Sequence, residues 1–272
     1  MRRLLCLCGL IALSACSGSY REQADSLAAP SDFDRRLIRT SSFVLTTYSK
    51  ITHPNQPARI YIEGDGLAWV TPDESSLNPT PPDAFTLRLA LLDPSPNVIY
   101  LARPCQYTPV SQNPLCEDEA YWTDKRFAPE VIASVDQAIT ALVGKNTSAT
   151  IDLVGYSGGG AVAVLVAAQR RDVRSLRTIA GNLDHESVNA LHEVSRMTGS
   201  LNAIDVAGRV AAIPQLHFTG SADDIVPPSI AQRFQDKAAS PCVKTEILRG
   251  ASHDEGWHAV WPTLLKQTPT CR

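Results

Sequence analysis

The sequence predicts an α/β fold, a mostly parallel sheet of about seven strands with helices on both faces. Three observations carry that prediction. Apolar runs of strand length alternate with runs of helix length along most of the chain, which is the pattern of strands joined by crossover helices. No internal repeat, charge block or low-complexity linker interrupts the body, whose roughly 240 residues suit one domain with a substantial core. A Gly-x-Ser-x-Gly turn stands between one such strand and one such helix.

The elements follow in chain order. Arg2 and Arg3 give a positive start, and residues 4–15 are mostly apolar. That run is too short to span a bilayer and fits the apolar part of an export signal. It ends in Leu13-Ser14-Ala15-Cys16, which resembles the lipobox of bacterial lipoproteins. The resemblance implies a signal peptide over 1–15 and lipidation at Cys16; ordinary secretion with cleavage near Ala15 is the alternative. Ser17 in place of Asp after the cysteine implies the outer membrane, with the domain facing the periplasm. Residues 16–39, which mix Ser, Ala, Gly, Pro and charges, read as a tether, and residues 40–272 as the domain.

Strands are expected at 42–48, 59–62, 97–102, 150–154, 176–180, 215–219 and 245–248. Helices are expected at 83–92, 129–143, 159–171, 185–197, 228–238 and 258–266. Two stretches remain as loops over a pocket. One is 103–127, with Tyr107 and Trp122 as candidate pocket walls; the other, 181–209, is short and polar.

The chemistry lies at Gly155-Tyr156-Ser157-Gly158-Gly159. Strand, sharp turn and helix in succession force small residues around the serine and push its hydroxyl out at the carboxyl edge of the sheet. The Gly158 amide then stands at a helix N-terminus, where partial positive charge stabilises an oxyanion. Downstream, the 215–219 strand opens into Gly220-Ser221-Ala222-Asp223-Asp224, and the 245–248 strand into Gly250-Ala251-Ser252-His253. Both therefore bring polar candidates to the edge where ligands of open α/β sheets bind.

Over residues 40–270 the chain resembles the α/β-hydrolases. Their acid loop, Gly-x-x-Asp, a hydrophobic pair and Pro, is matched by Gly220, Asp223, Val226 and Pro227, and their terminal histidine loop by Gly250 and His253. The resemblance implies a Ser157–His253–Asp223 triad, with Asp224 and His258 as the passed-over rivals. It also implies a minimal lid at 181–209 and an antiparallel edge position for the 42–48 strand. After the 59–62 strand comes Glu63-Gly64-Asp65-Gly66, where many members have His-Gly. Aligning the glycines makes the Asp65 amide the second oxyanion donor, with Gly66 close behind. An ionised Asp65 side chain there is unfavourable unless it points away.

The expected activity is hydrolysis of a carboxylic ester with a small or medium acyl group, through an acyl-enzyme. Amidase, thioesterase or lipase activity would use the same groups; a catalytically silent, lipid-anchored binding module is the alternative from another class. Removing residues 1–15 removes two arginines and no acids, leaving 23 basic against 28 acidic residues, a net of −5, which argues against nucleic acid. His53, His185, His192 and His217 show no metal-ligand spacing. Neither a cofactor nor a metal is expected, and the molecule should be a monomer. Of seven cysteines, Cys105, Cys116, Cys242 and Cys271 remain beyond Cys16 after export, which suggests two disulfides. Local pairing, Cys105–Cys116 and Cys242–Cys271, is the expectation among three connectivities.

Overall fold

The computed structural model describes residues 12–71, 73–144 and 150–272. Most of the leader read at 1–15 and the side chain of Cys16 lie outside the described residues.

The chain opens with helix α1 (Ala12–Ala28) and strand β1 (Asp34–Arg39). This corrects the expected tether at 16–39. Ala24, Ala28 and Phe33 are buried, because small side chains on one face of α1 let it lie close against the domain. The Tyr48 hydroxyl donates to Asp25 at 2.7 Å, fixing the helix to the sheet.

Strands β2 (Val44–Ile51) and β3 (Ala58–Ile62), the short hairpin of β4 (Trp69–Thr71) and β5 (Glu74–Ser75), helix α2 (Phe85–Leu91) and β6 (Asn97–Leu101) come next. Helix α3 (Pro129–Val143) then leads to β7 (Ile151–Tyr156), α4 (Gly158–Ala167) and β8 (Val173–Ile179). The chain closes with α5 (His185–Leu191), α6 (Ala207–Val210), β9 (Gln215–Gly220), α7 (Pro228–Ala238), β10 (Val243–Leu248) and α8 (Trp257–Leu264).

Among the described residues eight strands form one sheet in the order β1-β2-β6-β3-β7-β8-β9-β10. β2 is antiparallel to both β1 and β6, and every pairing from β6 to β10 is parallel. The expected edge position of the 42–48 strand is thus corrected: β1 covers its outer side. β1 carries Arg35, Arg36 and Arg39 and is largely exposed, a charged edge of the kind that resists further pairing.

Two apolar layers cover the sheet. One is built on α3, α4, α6 and α7, with Val131, Val135, Val164 and Phe234; the other on α1, α2 and α8, with Leu87, Trp257 and Trp261. Both expected disulfides are present, Cys105–Cys116 and Cys242–Cys271. In register, Ile62 pairs with Leu101 and Gly155, Tyr156 with Ile179, and Leu248 with Gly220. The carboxyl ends of the parallel strands therefore line one edge, and the loops leaving them carry the site.

Candidate active site

Ser157 sits between β7 and α4 with φ 49° and ψ −122°, a left-handed conformation that costs a non-glycine residue about 1–3 kcal/mol. The surroundings hold it there. Its amide donates to Ile179 O at 2.9 Å, while its carbonyl accepts from Gly160 at 2.9 Å and Asn182 at 3.0 Å. The turn closes only on glycine: a Cβ at Gly159 would stand 2.3 Å from Ile62 O.

His253 Nε2 lies 3.0 Å from Ser157 Oγ, and Nδ1 lies 3.0 and 3.2 Å from the two carboxylate oxygens of Asp223. Asp223 is buried, and its Oδ1 also accepts from the amides of Ile225 and Val226 at 3.0 and 2.8 Å. Those bonds fix the carboxylate, so Nδ1 is the protonated nitrogen and Nε2 is free to accept from the serine. Trp257 Nε1 donates to the carbonyls of Ser252 and His253, holding the histidine loop, and the Tyr156 ring backs the imidazole at 5.4 Å. Asp224 is exposed on the same loop. His258 packs on Phe85, and burial lowers its pKa; neither rival joins the cluster.

The loop after β3 lies directly beside the serine. Among the described residues, neither the Gly158 amide nor those of Asp65 and Gly66 donate to another protein group. The Asp65 carboxylate does not point away, as the oxyanion reading required. A Cβ on Gly158 would meet its Oδ1 at 2.0 Å. Its charge is met instead: Arg103 Nη1 lies 3.2 Å from Oδ1 and Arg126 Nη1 3.0 Å from Oδ2. Two cations on one carboxylate reverse the local balance, and an anion beside Asp65 is no longer disfavoured.

Beneath the loop, Glu63 is fully buried and accepts from the Gly64 amide at 2.8 Å, from the Tyr100 hydroxyl at 2.9 Å and from the Thr86 hydroxyl. Burial pushes its pKa up. Gln106 donates to Gly64 O at 3.0 Å. Where the resemblance led to His-Gly, this chain has a buried carboxylate anchoring the turn. Glu63, Arg103, Gln106 and Arg126 were not singled out as site residues. Charged side chains immediately after a strand end at 63 and 103 were the one available signal.

Two expectations on the loops are corrected. Tyr107 and Trp122 line a recess of about 170 Å³ with Leu77, Pro79 and Val110, and no triad residue borders it. The Trp122 indole donates to Ser76 O at 2.9 Å, and the Tyr107 ring lies edge-on to Tyr100 at 6.5 Å. The 181–209 segment is not uniformly polar, since Leu191 and Val194 are exposed, and His192 Nε2 meets the carbonyl of exposed Ile225 at 2.8 Å.

No protein-family model matches the chain, and no curated protein matches it by sequence. Solved structures do. The 2,6-dihydroxy-pseudo-oxynicotine hydrolase superposes with TM-score 0.63 at 17% identity, over 98% of this chain and 79% of its own. Est1E from Butyrivibrio proteoclasticus gives 0.59 at 14%, over 85% and 96%. An esterase from Pyrococcus furiosus gives 0.56 at 13%, over 87% and 91%. The fold is that of the α/β-hydrolases.

Proposed function

We propose that this protein is a serine hydrolase that cleaves a carboxylic ester with a small or medium acyl group. The observation that carries the reading is the relay from Ser157 Oγ through His253 to Asp223, with unoccupied amides beside it. His253 Nε2 takes the Oγ proton as the oxygen attacks the acyl carbon. The oxyanion so formed accepts from the Gly158 and Asp65 amides. His253 then returns the proton to the leaving alcohol, and water repeats the sequence on the acyl-enzyme. Asp223 keeps Nδ1 protonated and stabilises the imidazolium. Amides and thioesters would pass through the same groups.

Fluorophosphonate labelling tests this. One adduct on Ser157, absent in Ser157→Ala and in His253→Ala, is expected, together with a loss of roughly a thousandfold or more in ester turnover. An unlabelled, folded wild-type chain would overturn the reading in favour of a silent binding module.

A lipid-directed reading has one supporting feature, the exposed Leu191, Val194 and Ile225. Turnover that climbs steeply on vesicles would favour it over a soluble ester.

Export and lipidation at Cys16 belong to the same proposal and rest on Leu13-Ser14-Ala15-Cys16. The lipid would then sit eight residues before the buried Ala24, about 12 Å along a helix. The domain would be held against the periplasmic face of the outer membrane, acting there as a monomer on a small acyl substrate.

A further inference from the structure

A cationic cluster pairs with Asp65, whose carboxylate lies against Gly158, and the triad chemistry does not use all of it. Arg103 and Arg126 share one ion-paired carboxylate, that of Asp65. Arg103 is buried, with Nη1 on Asp65 and Nη2 on the Arg126 carbonyl, and among the described residues its Nε has no hydrogen-bond partner. Arg126 is the more exposed of the two. Of the five N–H groups of its guanidinium, one meets Asp65, and two meet the Met197 thioether, 3.2 Å from Nε and 2.9 Å from Nη2. A thioether is a weak acceptor, so that edge of a fork built for carboxylates is poorly satisfied.

His185 is the second observation, independent of the first. It is 2% exposed, and among the described residues neither ring nitrogen has a hydrogen-bond partner. A buried polar side chain without a partner costs free energy that a ligand would recover. Its ring packs on Phe127 at 5.9 Å, and the Arg126 guanidinium lies over the same Phe127 ring at 5.7 Å. Burial, with the Arg126 charge adding to it, lowers the His185 pKa, so the imidazole is neutral and presents one N–H. Asp65, held by Arg126, is itself in contact with Gly158, the residue after the nucleophile.

From these positions we infer that Arg126, with His185 beside it, receives a carboxylate carried by the acyl substrate close to its scissile carbonyl. The inference rests on the hydrolase reading. It narrows the substrate to an anionic ester, such as a half-ester of a dicarboxylic acid. On binding, the carboxylate takes the guanidinium edge from Met197 and an N–H from His185. Asp65 stays paired to Arg103, so the oxyanion loop keeps its position. Arg126 is a specificity residue and takes no part in bond making.

Two phosphonofluoridate probes, identical except that one ends in a carboxylate and the other in a primary amide, separate the possibilities on the full chain. In each, Ser157 Oγ bonds to phosphorus as fluoride leaves, and the hydroxyl proton passes to His253. The carboxylate probe should label Ser157 about tenfold faster or more, the order of one charge-assisted hydrogen bond. That ratio should fall to about one in Arg126→Gln. In wild type it should also fall as salt rises, a test that does not depend on the variant folding. Equal or slower labelling by the carboxylate probe, an unchanged ratio in the variant, or a ratio flat in salt would overturn the assignment and leave the hydrolase reading standing. Labelling by neither probe would remove the hydrolase reading and this inference with it.

Discussion

Ser157 holds a strained backbone conformation because glycines on either side let three backbone segments close on it. Two substitutions separate that requirement from ordinary glycine effects. Gly159→Ala drives a Cβ into Ile62 O at 2.3 Å, a backbone atom that cannot swing away, and should prevent folding or move the serine. Gly208→Ala meets nothing within 4 Å inside helix α6 and should stabilise by about 0.5–1 kcal/mol. Urea unfolding of both decides; a tolerated Gly159→Ala would contradict the elbow geometry. At the same scale, Asp65→Asn leaves Arg103, which is 5% exposed, without its counter-charge. A loss of roughly 3 kcal/mol is expected. Turnover should fall as well, since the loop amide is set by that ion pair. Normal stability with lost turnover would instead make the pair purely catalytic in effect.

At the scale of elements, β9 contains a pH-sensitive residue. His217 is fully buried, between Thr178 Oγ1 at 2.8 Å on Nδ1 and Gln215 Oε1 at 3.1 Å on Nε2. Burial lowers its pKa to about 3. The unfolded chain, with histidine near its ordinary value of about 6.5, then binds more protons between the two values. Stability should therefore hold above pH 6.5 and fall as pH drops toward 3, by up to ~1.4 kcal/mol per unit. Comparing unfolding at pH 7 and 5 in wild type and His217→Gln reads this; equal slopes would mean that His217 carries none of it. The C-terminal tail offers a second prediction. Cys242–Cys271 closes 29 residues, so Cys271→Ser should cost about 3.6 kcal/mol by chain entropy, seen as a lowered Tm. Each of the seven expected strands was legible from its apolar run, and the Pro129–Val143 and Pro228–Ala238 helices from their helical patterning. β1 was not. Its Asp34, Arg35, Arg36 and Arg39 give no alternation, because an edge strand with both faces largely open has no buried face to encode.

For the whole molecule, the lipid anchor proposed at Cys16 is the feature with the widest consequence. Cys16→Ser should abolish fatty-acid incorporation and release the protein from the membrane fraction; continued incorporation would place the acyl group elsewhere. What the sequence determined by itself is what near neighbours encode. It set the strand-and-helix alternation of an α/β sheet, the elbow at Ser157, the loops that carry Asp223 and His253, and a disulfide pairing drawn from proximity in the chain. What only the tertiary structure decided are relations between distant residues. Arg103 and Arg126 reach Asp65 across 38 and 61 residues, Tyr107 and Trp122 line a recess away from the triad, and the His185 ring nitrogens find no hydrogen-bond partner among the described residues. The physical reason is range. Periodicity and turn chemistry are set within a few residues, whereas the partner of a charge depends on which strand ends the register brings side by side, and on what packs above them.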